Sequence, residues 1–169
     1  FGTCSGWATA WAYAATRADA DIALVVLGAW DIFDQKLDGR VIKFASQEFD
    51  QRFLDGVQQG IDALDKVGAR AALLEVPCMR PKDIDPAGVV ALPERAMDDR
   101  VAHVNDLLRR AAAADPTHAV FISGPTEYCA DPVIAKDSTY RWDGVHAYKL
   151  GANLTMMAIT NQLLAIPAR

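Results

Sequence analysis

Asp143, Gly144, Val145 and His146 are the residues of this 169-residue chain whose types and spacing are best suited to chemistry. A histidine serves as general base to a hydroxyl when one ring nitrogen is free and a carboxylate on the other holds the ring in one tautomer. Asp and His three residues apart in a tight loop can place both side chains in one cleft, with Gly144 allowing the backbone to turn sharply between them. The same segment could instead open a helix, with Asp143 as its cap and His146 as a first-turn residue. Spacing alone leaves both readings open. Other polar and aromatic candidates have ordinary explanations. His103 falls on the polar flank of a helical pattern and His118 at the start of a strand. Trp7, Trp11 and Tyr13 have helical spacing and suit packing better than sugar stacking. Asp31 and Asp34 lack a third ligand for a metal, and Asn105, in a stripe of valines and leucines, suits a buried hydrogen-bonding role.

The elements that must position these residues alternate along the chain. The alanine- and aromatic-rich stretch 7–18 predicts a helix. Residues 21–30 are a continuous apolar run, as in a strand buried on both faces. A polar loop follows, and then Ser46 caps a helix whose Phe49, Phe53, Val57, Ile61 and Leu64 form one face, with Gly68 beyond its end. A second strand is predicted over 69–76, closed by Pro77 and Cys78. After a proline-bearing loop comes a helix striped by Val101, Val104, Leu107 and Leu108 and closed by Pro116. A third strand over 119–123, a long loop and a last helix over 147–164 complete the pattern. This order predicts a doubly wound α/β domain, three layers αβα around a parallel sheet. Such sheets bind ligands beyond the carboxyl ends of their strands, and here that means Gly28–Asp31, Pro77–Arg80, Gly124–Cys129 and Arg141–His146. Trp30 and Trp142 flank the expected cleft. Arg80 and Arg141 suit either an anionic ligand or solvent. Helices on both faces call for about five strands. The expectation is therefore one domain over 1–169 that lacks its opening strands, which would precede Phe1.

Composition sets the outer limits. With 17 basic and 22 acidic residues the chain carries a formal charge of −5, which excludes a general electrostatic attraction to nucleic acid or to an anionic membrane. Apolar residues make up 51%, enough for a sizeable core, and no apolar run reaches the ~18 residues of a membrane span. The spacing implies neither a metal nor a cofactor. Three cysteines, Cys4, Cys78 and Cys129, fit one disulfide and a leftover thiol in an oxidising compartment, or three reduced thiols in a reducing one.

Several of these segments together resemble one family. Trp142-Asp143-Gly144-Val145-His146, followed by Gly151, is similar to the closing block of the SGNH (GDSL-like) esterases and acyltransferases. Gly28-Ala29-Trp30-Asp31 at a strand end resembles their Gly-x-Asn-Asp block. The likeness runs over nearly the whole chain, and Leu27-Gly28-Ala29-Trp30 and Pro77-Cys78 most resemble the extracytoplasmic SGNH domain fused to bacterial membrane-bound O-acyltransferases. The resemblance implies a flavodoxin-like SGNH fold and a Ser–His–Asp site with His146 as base and Asp143 as its orienter. It places Gly28 and Trp30, with Gly2 or Gly6 as a second-block glycine, near the oxyanion; Trp142 and Arg141, from their own places near the strand ends, would shape the substrate site. The chain departs from the family in two ways. Trp30 stands where the family has an oxyanion-binding Asn, and no Gly-Asp-Ser nucleophile block is present, Ser5 being the only early serine near a glycine. The nucleophile is thus expected outside this sequence, leaving this piece alone nearly inert. The implied substrate is an acylated carbohydrate or another ester. The implied partner is a membrane-embedded acyltransferase domain in the same full-length chain, on the periplasmic or cell-surface side. A free-standing carbohydrate or lipid esterase, and a degenerate glycan-binding or scaffold domain, are the alternatives. Cys78 and Cys129 each follow a strand at the same sheet edge, so neighbouring strands would bring them within disulfide reach, leaving Cys4 to pair elsewhere.

Overall fold

The computed structural model describes residues 6–82 and 92–167. Gly2, Cys4 and Ser5 lie outside the described residues. Helix α1 (Trp7–Ala18) leads into β1 (Ile22–Val25), and a hairpin of β2 (Gln35–Leu37) and β3 (Arg40–Ile42) precedes α2 (Gln47–Asp65). Then come β4 (Arg70–Leu74), a single 3-10 turn (Pro93–Ala96), α3 (Asp98–Ala114) and β5 (Ala119–Ile122). The short α4 (Glu127–Ala130) and α5 (Pro132–Lys136) lead to α6 (Lys149–Leu164). The main sheet is parallel in the order β1-β4-β5, with Ala23 beside Ala71 and Leu73 beside Phe121. The predicted strands and helices are all present, most of them a few residues shorter than the apolar runs.

Because successive strand side chains point to opposite faces, the sheet splits its residues between two cores. Val25, Ala71, Leu73 and Ala119 pack with α1, α2 and α3, in a cluster that includes Phe49, Phe53, Ile61, Val104, Leu107 and Leu108. Ala72, Leu74 and Ile122 pack on the other face with Ile159 of α6 and with Ile166. Three helices therefore cover one face and α6 covers the other. The predicted cap of α2 is present, Ser46 Oγ accepting the Phe49 N–H at 3.3 Å, and Gly68 turns the chain beyond the helix end at φ +81°.

Two expectations about these elements are corrected. The apolar run at 21–30 is not buried on both faces. Leu24 and Val26, on the α6 side of β1, are exposed, because β1 is a sheet edge and α6 packs over β4 and β5. The polar loop after it contains the β2–β3 hairpin, which turns on Asp38-Gly39, both at positive φ. An Asp-Gly pair between short apolar-polar runs is a hairpin signal that could have been read from the sequence. Asn105 is buried as expected. Its side chain takes the place of a strand neighbour for Val76, accepting from the Val76 N–H at 2.8 Å and donating to the Val76 carbonyl at 2.9 Å. That pins the chain just where it leaves β4 for the cleft.

Candidate active site

Each strand of the sheet ends at the same cleft. Ala29 and Trp30 follow β1, Glu75, Val76 and Pro77 follow β4, and Pro125 follows β5. With Val145, His146 and Ala147 and the first turns of α6, they line a volume of about 360 Å³. This is the side at which open parallel sheets bind ligands.

The loop that carries His146 is held from several directions. Arg141 and Ala147 pair as an isolated antiparallel bridge, and Tyr148 N–H donates to the Tyr140 carbonyl at 2.7 Å, so residues 142–146 form a closed loop. The chain after β4 runs along it, Arg80 N–H donating to Gly144 O at 2.9 Å and Lys82 N–H to Asp143 O at 3.0 Å. Gly144, at φ +80°, allows this approach, because a β-carbon there would lie 1.7 Å from the Arg80 carbonyl oxygen. Beneath the loop, Cys78 and Cys129 form a disulfide with Cα atoms 5.9 Å apart, as their places after neighbouring strands predict. Their sequence separation of 51 residues corresponds to about 4 kcal/mol of lost denatured-state entropy. Arg141 braces both arms of this bridge, donating to the Cys78 and Tyr128 carbonyls.

Within the loop, Asp143 and His146 meet. Asp143 Oδ2 accepts from His146 Nδ1 at 2.7 Å, while Oδ1 accepts the Val145 and His146 backbone N–H groups at 2.9 and 2.8 Å. Asp143 is only 6% exposed, whereas the His146 side chain is 56% exposed. The helix-start reading of this segment does not hold. The last helix begins only at Lys149, and its N-terminus has no side-chain cap. Burial works to raise the Asp143 pKa, but the hydrogen bonds from the His146 N–H, the imidazole and the Val145 N–H outweigh it and hold the carboxyl below its usual value. An ionised carboxylate only accepts, so Nδ1 carries the proton and Nε2 is the basic nitrogen. Among the described residues Nε2 has no hydrogen-bond partner, and His146 borders the cleft. The Trp142 ring stacks on the imidazole at 5.8 Å and 14°.

A group whose folded pKa is depressed stabilises the fold above its unfolded value and loses that contribution as pH falls through the folded one. The parent protein should therefore exceed its Asp143→Asn variant in stability at pH 5. The margin should shrink steadily as denaturant melts are taken below about pH 4. A margin that stays constant down to pH 2 would contradict the ionised hydrogen-bonded carboxylate.

The other singled-out residues are distributed less simply. Gly28 sits at φ +99° where a β-carbon would press on Val76 and Val104, so it makes the turn that delivers Ala29 and Trp30 to the cleft. Gly6 precedes α1 at φ +83°, away from the residues lining the cleft. Arg141, expected to be either solvated or ligand-facing, is not solvated: it is 1% exposed, lines the cleft and has its terminal nitrogens on the two carbonyls. Arg80 pairs with Asp98 through both terminal nitrogens, at 2.7 and 2.9 Å. His103, expected on a solvated flank, is half-buried and meets Asp50 of α2 at 2.8 Å. His118 meets Asp115 at 2.8 Å. Trp7 and Trp11 pack edge to face on each other and lie over Gly60 of α2. Asp34 closes the hairpin through Lys43 and the Phe44 N–H, and among the described residues no group of acidic, His or Cys side chains could hold a metal. Sequence reasoning missed Arg95, which follows the proline-bearing loop and reaches the cleft with its guanidinium 4.4 Å from the Trp30 ring centre. No periodicity or motif marks it.

Among solved structures, a provisionally named acylhydrolase from Bacteroides fragilis shares this fold, with a TM-score of 0.58. The two chains are 14% identical, and the match covers 93% of this chain and 69% of that one. No curated protein sequence matches the chain. The αβα architecture is the flavodoxin-like SGNH fold implied by the sequence motifs, and over residues 4–162 the chain matches, and belongs to, the family described as protein of unknown function DUF459.

Proposed function

We propose that this protein performs acyl-ester chemistry by a Ser–His–Asp mechanism, with His146 as general base and Asp143 as the residue that orients it. The observation that carries the reading is the buried Asp143 carboxylate on Nδ1 of a cleft-lining imidazole. A serine hydroxyl at Nε2 attacks the acyl carbonyl as His146 takes its proton. His146 then returns the proton to the leaving alkoxide, and water or a sugar hydroxyl releases the acyl-enzyme by the reverse steps. Backbone N–H groups around Gly28 would receive the oxyanion, with Gly2, not Gly6, as the remaining second-block glycine. Trp30 supplies no amide donor there, so those N–H groups carry the task alone. Trp142, stacked on the imidazole, shapes the entrance, and Arg141 fixes the loop from beneath.

Ser46, Ser123 and Ser138 are the serines among the described residues, and none is hydrogen-bonded to His146. In this proposal the nucleophile belongs to a strand outside residues 1–169 that adds to the open edge of β1, where Leu24 and Val26 border the cleft. The substrate class is an acylated carbohydrate, and the setting is an extracytoplasmic domain joined to a membrane-embedded acyltransferase. Support for that setting comes from the Cys78–Cys129 disulfide and from the motif resemblance. Transfer to water, as in a free-standing esterase, is the second reading, favoured by the acylhydrolase name of the B. fragilis structure.

A serine-directed fluorophosphonate distinguishes this mechanism from a binding role. The full-length protein should take up one adduct, located by peptide mass spectrometry on a serine outside residues 1–169. Absence of labelling, or labelling of Ser46, Ser123 or Ser138, would overturn the assignment.

A further inference from the structure

Arg95 is a buried cation for which the described residues provide no counter-ion. It is 8% exposed, and its Nε is fully buried with no hydrogen-bond partner. Among the described residues no carboxylate lies at ion-pair distance from it. Among the described residues its guanidinium is met by aromatic faces, Trp30 at 4.4 Å and Phe33 at 6.0 Å. Aromatic faces compensate only part of the cost of desolvating a guanidinium. Arg95 borders the same cleft as His146. Two other charged side chains line the cleft with it. Glu75 is engaged by Arg109 at 2.9 Å and by the Gly124 N–H at 3.0 Å, and both terminal nitrogens of Arg141 are on backbone carbonyls.

We infer that Arg95 is a binding site for a carboxylate carried by the ligand of this cleft. As a statement about substrate, this rests on the ester reading above and narrows it to esters that bear a carboxylate. One planar guanidinium matches one planar carboxylate in charge and hydrogen-bond geometry. A dianionic phosphate would leave a second negative charge facing Glu75, which also borders the cleft. The rest of the lining includes Leu24, Val26, Leu74 and Met156, which suits an aliphatic body between the carboxylate and the reacting carbonyl.

Hexanoate and its neutral isostere hexanamide separate charge recognition from apolar filling. Titrated into the full-length protein and followed by calorimetry and by tryptophan fluorescence, hexanoate should bind about tenfold or more tightly than hexanamide. Arg95→Met should remove that preference, and Arg95→Lys should keep part of it. Equal binding of the two ligands by the parent protein would overturn the site without relying on any variant, as would an undiminished preference in a folded Arg95→Met protein. The binding measurement does not depend on turnover. A preference for hexanoate in a protein that hydrolyses no ester would leave the Arg95 site standing and remove the ester reading. An active esterase that binds both ligands equally would do the reverse.

Discussion

Replacing His146 with alanine in the full-length protein is expected to lower kcat/KM for p-nitrophenyl acetate by about 10⁴-fold or more, while the melting temperature changes little. That loss corresponds to about 5.5 kcal/mol of transition-state stabilisation. The asymmetry between activity and stability follows from where the ring sits. The His146 side chain is 56% exposed, and its hydrogen bond is to Asp143, which keeps the Val145 and His146 N–H groups when the imidazole is gone. The loop itself is fixed by contacts that do not involve the ring, namely the Arg141–Ala147 bridge and the backbone hydrogen bonds from Arg80 and Lys82. A serine without its base remains a poor nucleophile, so the loss should appear in kcat more than in KM. Equal rates for the parent and His146→Ala would discard the triad and leave a binding or scaffold role.

Gly144→Ala should be the most damaging single-methyl substitution in the cleft, costing at least about 3 kcal/mol and lowering the melting temperature by roughly 10 °C. Two causes add. The residue sits at φ +80°, unfavourable for any residue with a β-carbon, and that carbon would lie 1.7 Å from the Arg80 carbonyl oxygen and 2.5 Å from its carbon. Neither contact can be relieved by a rotamer change, since both atoms are backbone. Relief requires the 80–82 strip to move off residues 143–144, which breaks two hydrogen bonds and frees the Asp143–His146 pair. Gly39→Ala is the matched control. Gly39 has a similar φ of +81° with nothing within 4 Å of the added carbon, so it should show the conformational cost alone, about 1 kcal/mol. If the two variants melted together, the close approach of the Arg80 strip to the loop would be wrong.

What the sequence determined by itself was local. The stripe Phe49-Phe53-Val57-Ile61-Leu64 with Ser46 ahead of it, the apolar runs that became β1, β4 and β5, and the pairing of Asp143 with His146 all depend on residues within a turn or two of each other. Periodicity and capping report such relations directly, while the three-residue spacing of Asp143 and His146 also fitted a helix start. The Asp38-Gly39 hairpin is local in the same sense, an Asp-Gly pair between two short runs. Cys78 and Cys129 lie 51 residues apart, and only the adjacency of β4 and β5 made their pairing predictable.

Tertiary structure decided everything that depends on which surfaces meet. Arg141 and Arg95 follow unremarkable loop sequence, yet one is buried as a brace between two carbonyls and the other against the Trp30 ring. His103 finds Asp50 across two helices, and Asn105 finds the backbone of Val76. The exposure of Leu24 and Val26 depends on α6 covering β4 and β5 but not the edge strand. A residue's type and its near neighbours set its local conformation. Its burial and its partners are set by packing between segments far apart in the chain, and one-dimensional spacing carries no record of that.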